Sequence, residues 1–369
     1  MIERLYIHNF KCLENFELTL KNMPSSLMIG KNGTGKSTIG AALEIFQGLG
    51  RGVNRVRDII NPRDFAHGRK DIPMRFEIEV LLDDQIYKYI LVLELPENFH
   101  ELRVRDEELL VSGKSVYSRT AAQVTIHADA QDREAQFSFD WHLIALPIIQ
   151  GKSIAGPIRQ FKTWLAQMII LAPIPALMNG ISEDLALEPV KDGSNFAGWL
   201  SGLLSRYPAA YMQVDRYLRG VMPDIQDFEN KEIGKSATNW AVRFEANGAT
   251  LSIDFKDLSD GEKCFFVCAV VLAATKSYGP VFCFWDEPDN YLSLSEVWHF
   301  LIALRKTFRG PSQILVTSHN PEAIRAFSDE NTFVLGRKSH LEPTLIRLLE
   351  ELHIKESIVD AWNRGDIEL

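Results

Sequence analysis

Residues 30–38 read Gly-Lys-Asn-Gly-Thr-Gly-Lys-Ser-Thr, and this stretch decides the fold. The spacing G-x-x-x-x-G-K-[ST] makes a phosphate cradle: Gly30, Gly33 and Gly35 let the backbone turn tightly and aim its N–H groups at anionic oxygens. Lys31, Asn32 and Thr34 fill the loop between them. Lys36 has the reach to meet the outer phosphates of a nucleotide, the Ser37 hydroxyl is suited to ligate Mg²⁺, and Thr38 continues into a helix. The context fits as well. Leu27, Met28 and Ile29 form an apolar strand before the loop, and residues 39–46 are helix-prone after it.

Working outward, residues 281–285 (Val-Phe-Cys-Phe-Trp) are a continuous apolar run of the kind buried in a parallel sheet. The run ends in Asp286 and Glu287, so both carboxylates are expected at the C-terminal edge of a strand, where open α/β sheets place their ligands. Asp286 is suited to hold Mg²⁺ through water, and Glu287 to orient or deprotonate an attacking water. Read alone, Asp-Glu-Pro would only end a strand; beside a phosphate loop it reads as catalytic.

Residues 258–263 (Leu-Ser-Asp-Gly-Glu-Lys) open a helical apolar stretch over 264–275. Ser259 and Gly261 at such a helix start supply a second anion site through unpaired N–H groups and the positive dipole end. Residues 313–317 form another apolar strand, followed by Ser318, His319 and Asn320. A histidine at that strand tip is placed to donate to a terminal phosphate.

This ordered set resembles the ABC-type ATPase heads of the SMC, RecF and OLD group. More narrowly it is similar to stand-alone ATPases of the AAA-21 or AAA15 type, many of them from bacterial anti-phage defence systems. Residues 2–11 resemble the first strand of that family, with 16–20 as its hairpin partner. Residues 258–263 resemble the signature motif, with Asp260 where many members carry Gly or Ser. Residues 286–292 resemble the Walker B segment running into the D-loop, and 317–320 the switch histidine. Residues 192–196 and 222–225 match the narrower family.

The resemblance implies an α/β P-loop ABC-type head with a mixed or parallel central sheet, an N-terminal antiparallel β subdomain and a helical subdomain. It implies ATP and Mg²⁺ as cofactors, with Glu287, His319 and Lys36 in the reaction. Residues 30–38 together with Ser259, Asp260 and Gly261 would hold the nucleotide, Ser37 and Asp286 the metal, and two chains would dimerise head to head around ATP. Two positions depart from the pattern. Ser293 stands where the D-loop often carries Asp, and no glutamine occupies the metal-sensing position near 171–175, Gln167 being the nearest.

The 369 residues are 46% hydrophobic, enough for a large core. No apolar run approaches the ~20 residues that span a bilayer, and the start has no signal-peptide pattern, so a cytoplasmic enzyme without membrane contact is expected. Cys12, Cys264, Cys268 and Cys283 sit singly in apolar settings and read as reduced core residues. Residues 1–340 are expected to form the head, including a β-rich inserted lobe at 85–160 and a helical region at 161–255, with 341–369 as an extension. Strands are expected at 74–82, 85–95, 108–117 and 123–139, helices at 141–168 (interrupted near Pro147 and Pro157), 196–207 and 211–221, and a hairpin at 240–255 across Asn247-Gly248. No heptad pattern and no room for a C-terminal nuclease domain are expected.

A net charge of −9 argues against a protein that coats nucleic acid over its whole surface. Arg51, Arg55, Arg57, Arg63, Arg69 and Lys70 nevertheless cluster after the phosphate-loop helix, either as a nucleic-acid contact or as a solvated loop paired with acidic neighbours. Three functions follow: an ATPase that dimerises and controls a nearby-encoded effector or acts on nucleic acid, plausibly in anti-phage defence; the energising subunit of a transporter; or an ATP-bound scaffold caging a toxin or nuclease.

Overall fold

Along β1 (Ile2–His8) the side chains of Leu5 and Ile7 are buried and those of Arg4, Tyr6 and His8 only partly so. That period of two is what a sheet with one covered face imposes. A computed structural model describes residues 1–127, 135–149, 156–234, 236–327, 329–353, 358–364, 367 and 369. It divides into two compact units, one of residues 1–168 with 329–369, the other of residues 169–328.

In the first unit β1 pairs with β2 (Phe16–Thr19) on one side. After β3 (Ser25–Gly30), α1 (Lys36–Gly50) and the single turn α2 (Val56–Ile59) come β4 (Met74–Leu82), β5 (Gln85–Glu94), β6 (Arg103–Val111), β7 (Lys114–Thr120), β8 (Gln123–Ile126) and β9 (Ala135–Ser138). These six extend the same antiparallel sheet in the order β2-β1-β4-β5-β6-β7-β8-β9. The strands expected as a separate lobe thus continue the N-terminal sheet without a break.

The β4–β5 turn carries Asp83 and Asp84 at φ 46° and 62°, and the β6–β7 turn Ser112 and Gly113 at 48° and 80°. Two successive positive φ values make the two-residue turn whose twist matches the flanking strands. For this reason the strand expected over 108–117 breaks at Ser112-Gly113 into β6 and β7. The strand expected over 123–139 is seen as β8 and β9; residues 128–134 of that stretch lie outside the described ones.

The helix expected over 141–168 begins only at Pro157, as α3 (Pro157–Ala166); residues 150–155 lie outside the described ones. Residues 142–146 are instead captured by hydrogen bonds from elsewhere in the unit. The Ile144 N–H donates to the Asn54 carbonyl at 2.7 Å and the Val56 N–H to the His142 carbonyl at 3.0 Å. The Ala145 and Leu146 N–H groups both donate to the carboxylate of Glu107 at 2.8 Å. Glu107 is fully buried and also accepts from the hydroxyls of Tyr89 (3.0 Å) and Tyr117 (2.8 Å), with the Arg119 guanidinium 3.7 Å away. Burial first, then the Glu107 charge, pushes both tyrosine pKa values far above their usual range. Tertiary contacts outweigh local helix propensity here.

The second unit begins with β10 (Ile169–Leu171) and β11 (Ile181–Ser182), followed by α4 (Phe196–Arg206) and α5 (Ala210–Val221). The strands β12 (Ile225–Ile233), β13 (Ala237–Ala246) and β14 (Ala249–Asp254) come next, β13 pairing antiparallel with both others. The stretch 161–255, expected as a helical region, therefore carries as much strand as helix. Then come α6 (Asp260–Ser277), β15 (Phe282–Trp285), α7 (Leu294–Thr307), β16 (Gln313–Thr317) and α8 (Pro321–Ala326). Strands β10, β15 and β16 are parallel, with Leu171 opposite Trp285 and Trp285 opposite Val316. Residues 264–275 of α6 are buried, and Phe266 meets Phe255 edge-on with ring centres 5.4 Å apart. All four cysteines are buried free thiols; desolvation raises Cys264 to about 12, so it stays protonated at neutral pH.

The chain returns to the first unit with β17 (Thr332–Gly336), parallel to β3, then β18 (Leu345–Leu348) and α9 (Ile358–Arg364). Among the described residues no helix is long and apolar enough to cross a membrane.

Glu107→Ala would take the acceptor from two hydroxyls and two N–H groups and the buried counter-charge from Arg119, which is left with the carbonyls of Ala121, Leu143 and Asp140. A loss of about 3–5 kcal/mol in unfolding free energy is expected by denaturant titration; a loss below about 1 kcal/mol would contradict the role given to this carboxylate.

Candidate functional site

The phosphate loop connects β3 to α1. Gly33 and Gly35 take φ 81° and 102°, left-handed values that favour glycine. A Cβ on Gly35 would stand 2.8 Å from both Cys12 Sγ and Thr344 Oγ1, and one on Gly30 would stand 2.7 Å from both the Leu335 carbonyl and Thr34 Oγ1. The loop is braced from behind. Thr344 Oγ1 donates to the Thr34 carbonyl at 2.8 Å, the Thr344 N–H to the Cys12 carbonyl at 2.9 Å, and Thr34 Oγ1 to the Lys31 carbonyl at 2.9 Å. Cys12 Sγ lies 3.6 Å from Thr38 Oγ1. Lys36 is buried, its Nζ donating to the Gly30 carbonyl at 2.8 Å, while Ser37 stays exposed on the first turn of α1. Beside the loop opens a cavity of about 460 Å³, lined by Lys31, Asn32, Gly33, Arg337, Lys338 and His340 among others. It is polar and cationic, chemistry suited to an anionic ligand.

In the second unit β15 delivers Asp286 and Glu287. The Asp286 N–H donates to the Leu171 carbonyl at 2.7 Å, fixing where the strand ends. Parallel register with β16 sets Thr317 beside the pair. Its hydroxyl donates to Asp286 Oδ1 at 2.5 Å and accepts the Glu287 N–H at 2.9 Å. Glu287 sits at φ 48°, with His319 Nε2 2.9 Å from Oε1 and the Asn290 amide donating to Oε2 at 2.8 Å. One step further, Ser318 Oγ donates to Asp289 Oδ2 at 2.8 Å. Desolvation raises the Asp289 pKa, the Ser318 bond only partly opposing it.

The start of α6 lies in the same unit. Ser259 is its N-cap in a reciprocal capping box: Ser259 Oγ accepts the Glu262 N–H at 3.3 Å, and Glu262 Oε2 accepts the Ser259 N–H at 2.7 Å. Gly261 packs tightly, a Cβ there meeting the Tyr291 carbonyl at 3.1 Å. Asp260 and Glu262 place negative charge in the first turn, which complements the dipole and makes this end less open to an anion than Ser259 and Gly261 alone suggest.

A family profile described as "AAA domain, putative AbiEii toxin, Type IV TA system" (AAA_21) matches residues 26–325. The chain belongs to that family. Its fold is that of a P-loop ABC-type ATPase head, and it carries an ATPase domain. The solved structures it resembles include "Crystal structure of the SmcHead bound to the C-winged helix domain of ScpA", at 15% identity and TM-score 0.55, covering 95% of this chain and 99% of that one. A second is an Smc head domain with an extended coiled coil bound to the C-terminal domain of ScpA, derived from Pyrococcus furiosus. It aligns at 13% identity and TM-score 0.51, covering 95% and 97%. No curated protein matches.

For this ATPase domain, ATP and Mg²⁺ can be tested against the residues present. The loop offers bare backbone where a side chain would collide, which is what a polyphosphate needs. Among the described residues no group of three or more His, Cys, Asp or Glu forms a metal cluster; a hydroxyl and a carboxylate are the hard donors that suit Mg²⁺, an ion that keeps several waters and leans on substrate phosphates. The bare backbone of the loop fits a polyphosphate, and Ser37 and Asp286 are each of the donor type that Mg²⁺ takes.

Sequence reasoning gave no role of their own to Thr317, Asn290, Cys12 or Thr344. The contacts of Thr317, Cys12 and Thr344 depend on strand register and on chain segments apart in sequence, and that of Asn290 on the turn back onto Glu287. Gln167 caps the C-terminus of α3. Of the basic cluster, Arg51 donates to the Ala166 carbonyl at 3.2 Å, Arg57 to Glu101 at 3.3 Å and Arg69 to Glu14. Half of that cluster is thus already engaged inside its own unit.

Gly35→Ala combines a disfavoured φ with two close contacts, so ATP affinity measured by calorimetry is expected to fall at least ~10-fold. Wild-type affinity in that variant would show that the loop geometry is not what binds phosphate.

Proposed function

We propose that this chain binds ATP with Mg²⁺, hydrolyses it, dimerises head to head in the ATP state and passes that state to a partner protein. The observation that carries the hydrolytic reading is Glu287, a carboxylate held between His319 and Asn290 one residue after Asp286. In this reading Lys36 and the N–H groups of residues 30–38 meet the phosphate charge, and the cavity beside the loop receives the rest of the nucleotide. Ser37 and Asp286 hold Mg²⁺, which, when bound, offsets charge building on the phosphates. Glu287 takes a proton from the attacking water while the water oxygen bonds the terminal phosphorus. The bond to the β-phosphate oxygen breaks, and ADP leaves with the electron pair. His319 steadies Glu287 and, in this reading, would donate to the phosphate oxygens.

Dimerisation is supported by the surface around the start of α6. Tyr291, whose carbonyl lies 3.1 Å from where a Cβ on Gly261 would stand, is 41% exposed, and Leu294, three residues on, is 66% exposed. Such apolar area beside a polar helix end is what an interface core uses. Each nucleotide would lie between residues 30–38 of one chain and Ser259, Asp260 and Gly261 of the other. The family's description names a toxin of a Type IV TA system, which supports a place in a bacterial defence pair whose effector is encoded nearby. Strand β9, last in the sheet order with every residue exposed, supports a docking edge for that effector. With Arg51, Arg57 and Arg69 engaged, the contacts favour a protein effector over nucleic acid at the basic cluster.

Glu287→Gln is expected to bind ATP but turn it over at least ~10²-fold more slowly; equal rates would remove Glu287 from the reaction. In light scattering the Glu287→Gln protein should double in mass on adding ATP. Adding Ser259→Arg should abolish that doubling, whereas Ser259→Ala, which loses only a cap of about 1 kcal/mol, should keep it. The same mass with and without ATP would exclude the dimer.

A further inference from the structure

Resting on the hydrolytic reading above, we infer that Asn290 and Thr317 are positioning residues that preset Glu287 for its reaction. Three contacts fix this one residue, two on its carboxylate and one on its backbone. The Asn290 amide holds Oε2 at 2.8 Å, His319 faces Oε1 at 2.9 Å, and the Thr317 hydroxyl holds the backbone N–H at 2.9 Å. They come from two places in the unit, the loop after β15 and the end of β16. That matters because Glu287 has a left-handed backbone at φ 48°. A non-glycine residue kept there costs on the order of 1–3 kcal/mol and persists only where its surroundings over-determine it.

Thr317 does two tasks with one hydroxyl. Its single proton goes to Asp286 Oδ1 at 2.5 Å, which leaves a lone pair for the Glu287 N–H. The hydroxyl rotor is thereby fixed, and the two acidic residues are tied to one atom. Thr317 is fully buried, so water cannot replace it. Valine has the same shape without either contact; serine retains both. Asn290 is exposed, so packing does not explain it. Its backbone N–H also closes a turn onto the Glu287 carbonyl at 3.3 Å, which brings its amide back over the carboxylate. With Oε2 committed to a neutral donor, Oε1 and the His319 side of the carboxylate remain for the attacking water. A general base must present its lone pair along the line of attack, and small misplacements are costly.

The test compares Asn290→Ala, Thr317→Val and Thr317→Ser with Glu287→Gln. It uses steady-state ATP turnover and binding of ADP with beryllium fluoride (a ground-state mimic) and aluminium fluoride (a transition-state mimic). Asn290→Ala and Thr317→Val should lower kcat ~10–100-fold with KM within about twofold. Asn290→Ala should weaken the aluminium fluoride complex and leave the beryllium fluoride complex unchanged. Thr317→Val, which also frees Asp286, should weaken the aluminium fluoride complex more than the beryllium fluoride one. Thr317→Ser should return kcat to within about threefold of wild type. Wild-type kcat in Asn290→Ala and Thr317→Val beside an inactive Glu287→Gln would overturn the inference and spare the hydrolytic reading. Equal weakening of both fluoride complexes would overturn it too, reducing the two residues to structural support. Wild-type turnover in Glu287→Gln would bring down the hydrolytic reading itself, and the inference with it. Because Asn290 is exposed, its variant keeps the test decisive should Thr317→Val lower the melting temperature.

Discussion

A polyphosphate has to be met by backbone N–H groups with nothing in front of them, and this constraint governs the chain from its first strand to its last. Gly30, Gly33 and Gly35 are there because a methyl group would collide or because φ is left-handed. Bare backbone is also the least self-supporting kind, so the loop is held from outside: by Cys12 from the segment after β1, by Thr344 before β18 and by Leu335 on β17. Each of these lies far from the loop in sequence. The first unit is organised to bring them there, and the same packing explains why the lysine that counts, Lys36, is buried.

The second unit solves a different problem. Two carboxylates at neighbouring positions repel one another and alternate in direction along an extended strand. Ending β15 at Trp285 and turning Glu287 into the left-handed region breaks that alternation, and the Thr317 hydroxyl ties the Asp286 carboxylate to the Glu287 N–H. The cost is backbone strain, and the hydrogen bonds of Thr317, Asn290 and His319 offset it. Strain at a candidate catalytic carboxylate, compensated by its neighbours, is the pattern expected when geometry is selected over stability.

Much of this was legible in the sequence because its signals are local. The glycine spacing of residues 30–38, the apolar run ending at Asp286 and the helix start at Ser259 and Gly261 each act within a few residues, and the structure has a loop, a strand end and a helix start at those positions. The capping box between Ser259 and Glu262 was not read. The turns at Asp83-Asp84 and Asn247-Gly248 were readable for the same reason. Ser112-Gly113 was equally local, but it lies between the strand-forming Leu109, Leu110 and Val111 and the equally strand-forming Val116 and Tyr117, which masked it. What could not be read depends on distant partners. Residues 141–149 look helical until Glu107, some forty positions earlier, takes two of their N–H groups. The stretch 161–255 looked helical because α4 and α5 are strongly patterned, while β12 is rich in charged residues that disguise a strand. Thr317 and Asn290 lie inside the stretches 317–320 and 286–292, but nothing there marks them as acting on Glu287. Thr317 does so through the register of β15 with β16, and Asn290 through a turn back onto a residue three positions earlier.

Everything proposed for this chain requires that the loop and the two carboxylates make an ATPase. The most direct measurement is phosphate release by the purified wild-type chain at increasing ATP, with and without Mg²⁺. A saturable rate that needs Mg²⁺ and disappears in Lys36→Ala is the expected result. No release above the Lys36→Ala background, at ATP concentrations where calorimetry shows the wild type saturated, would contradict it and leave a protein that holds ATP without spending it.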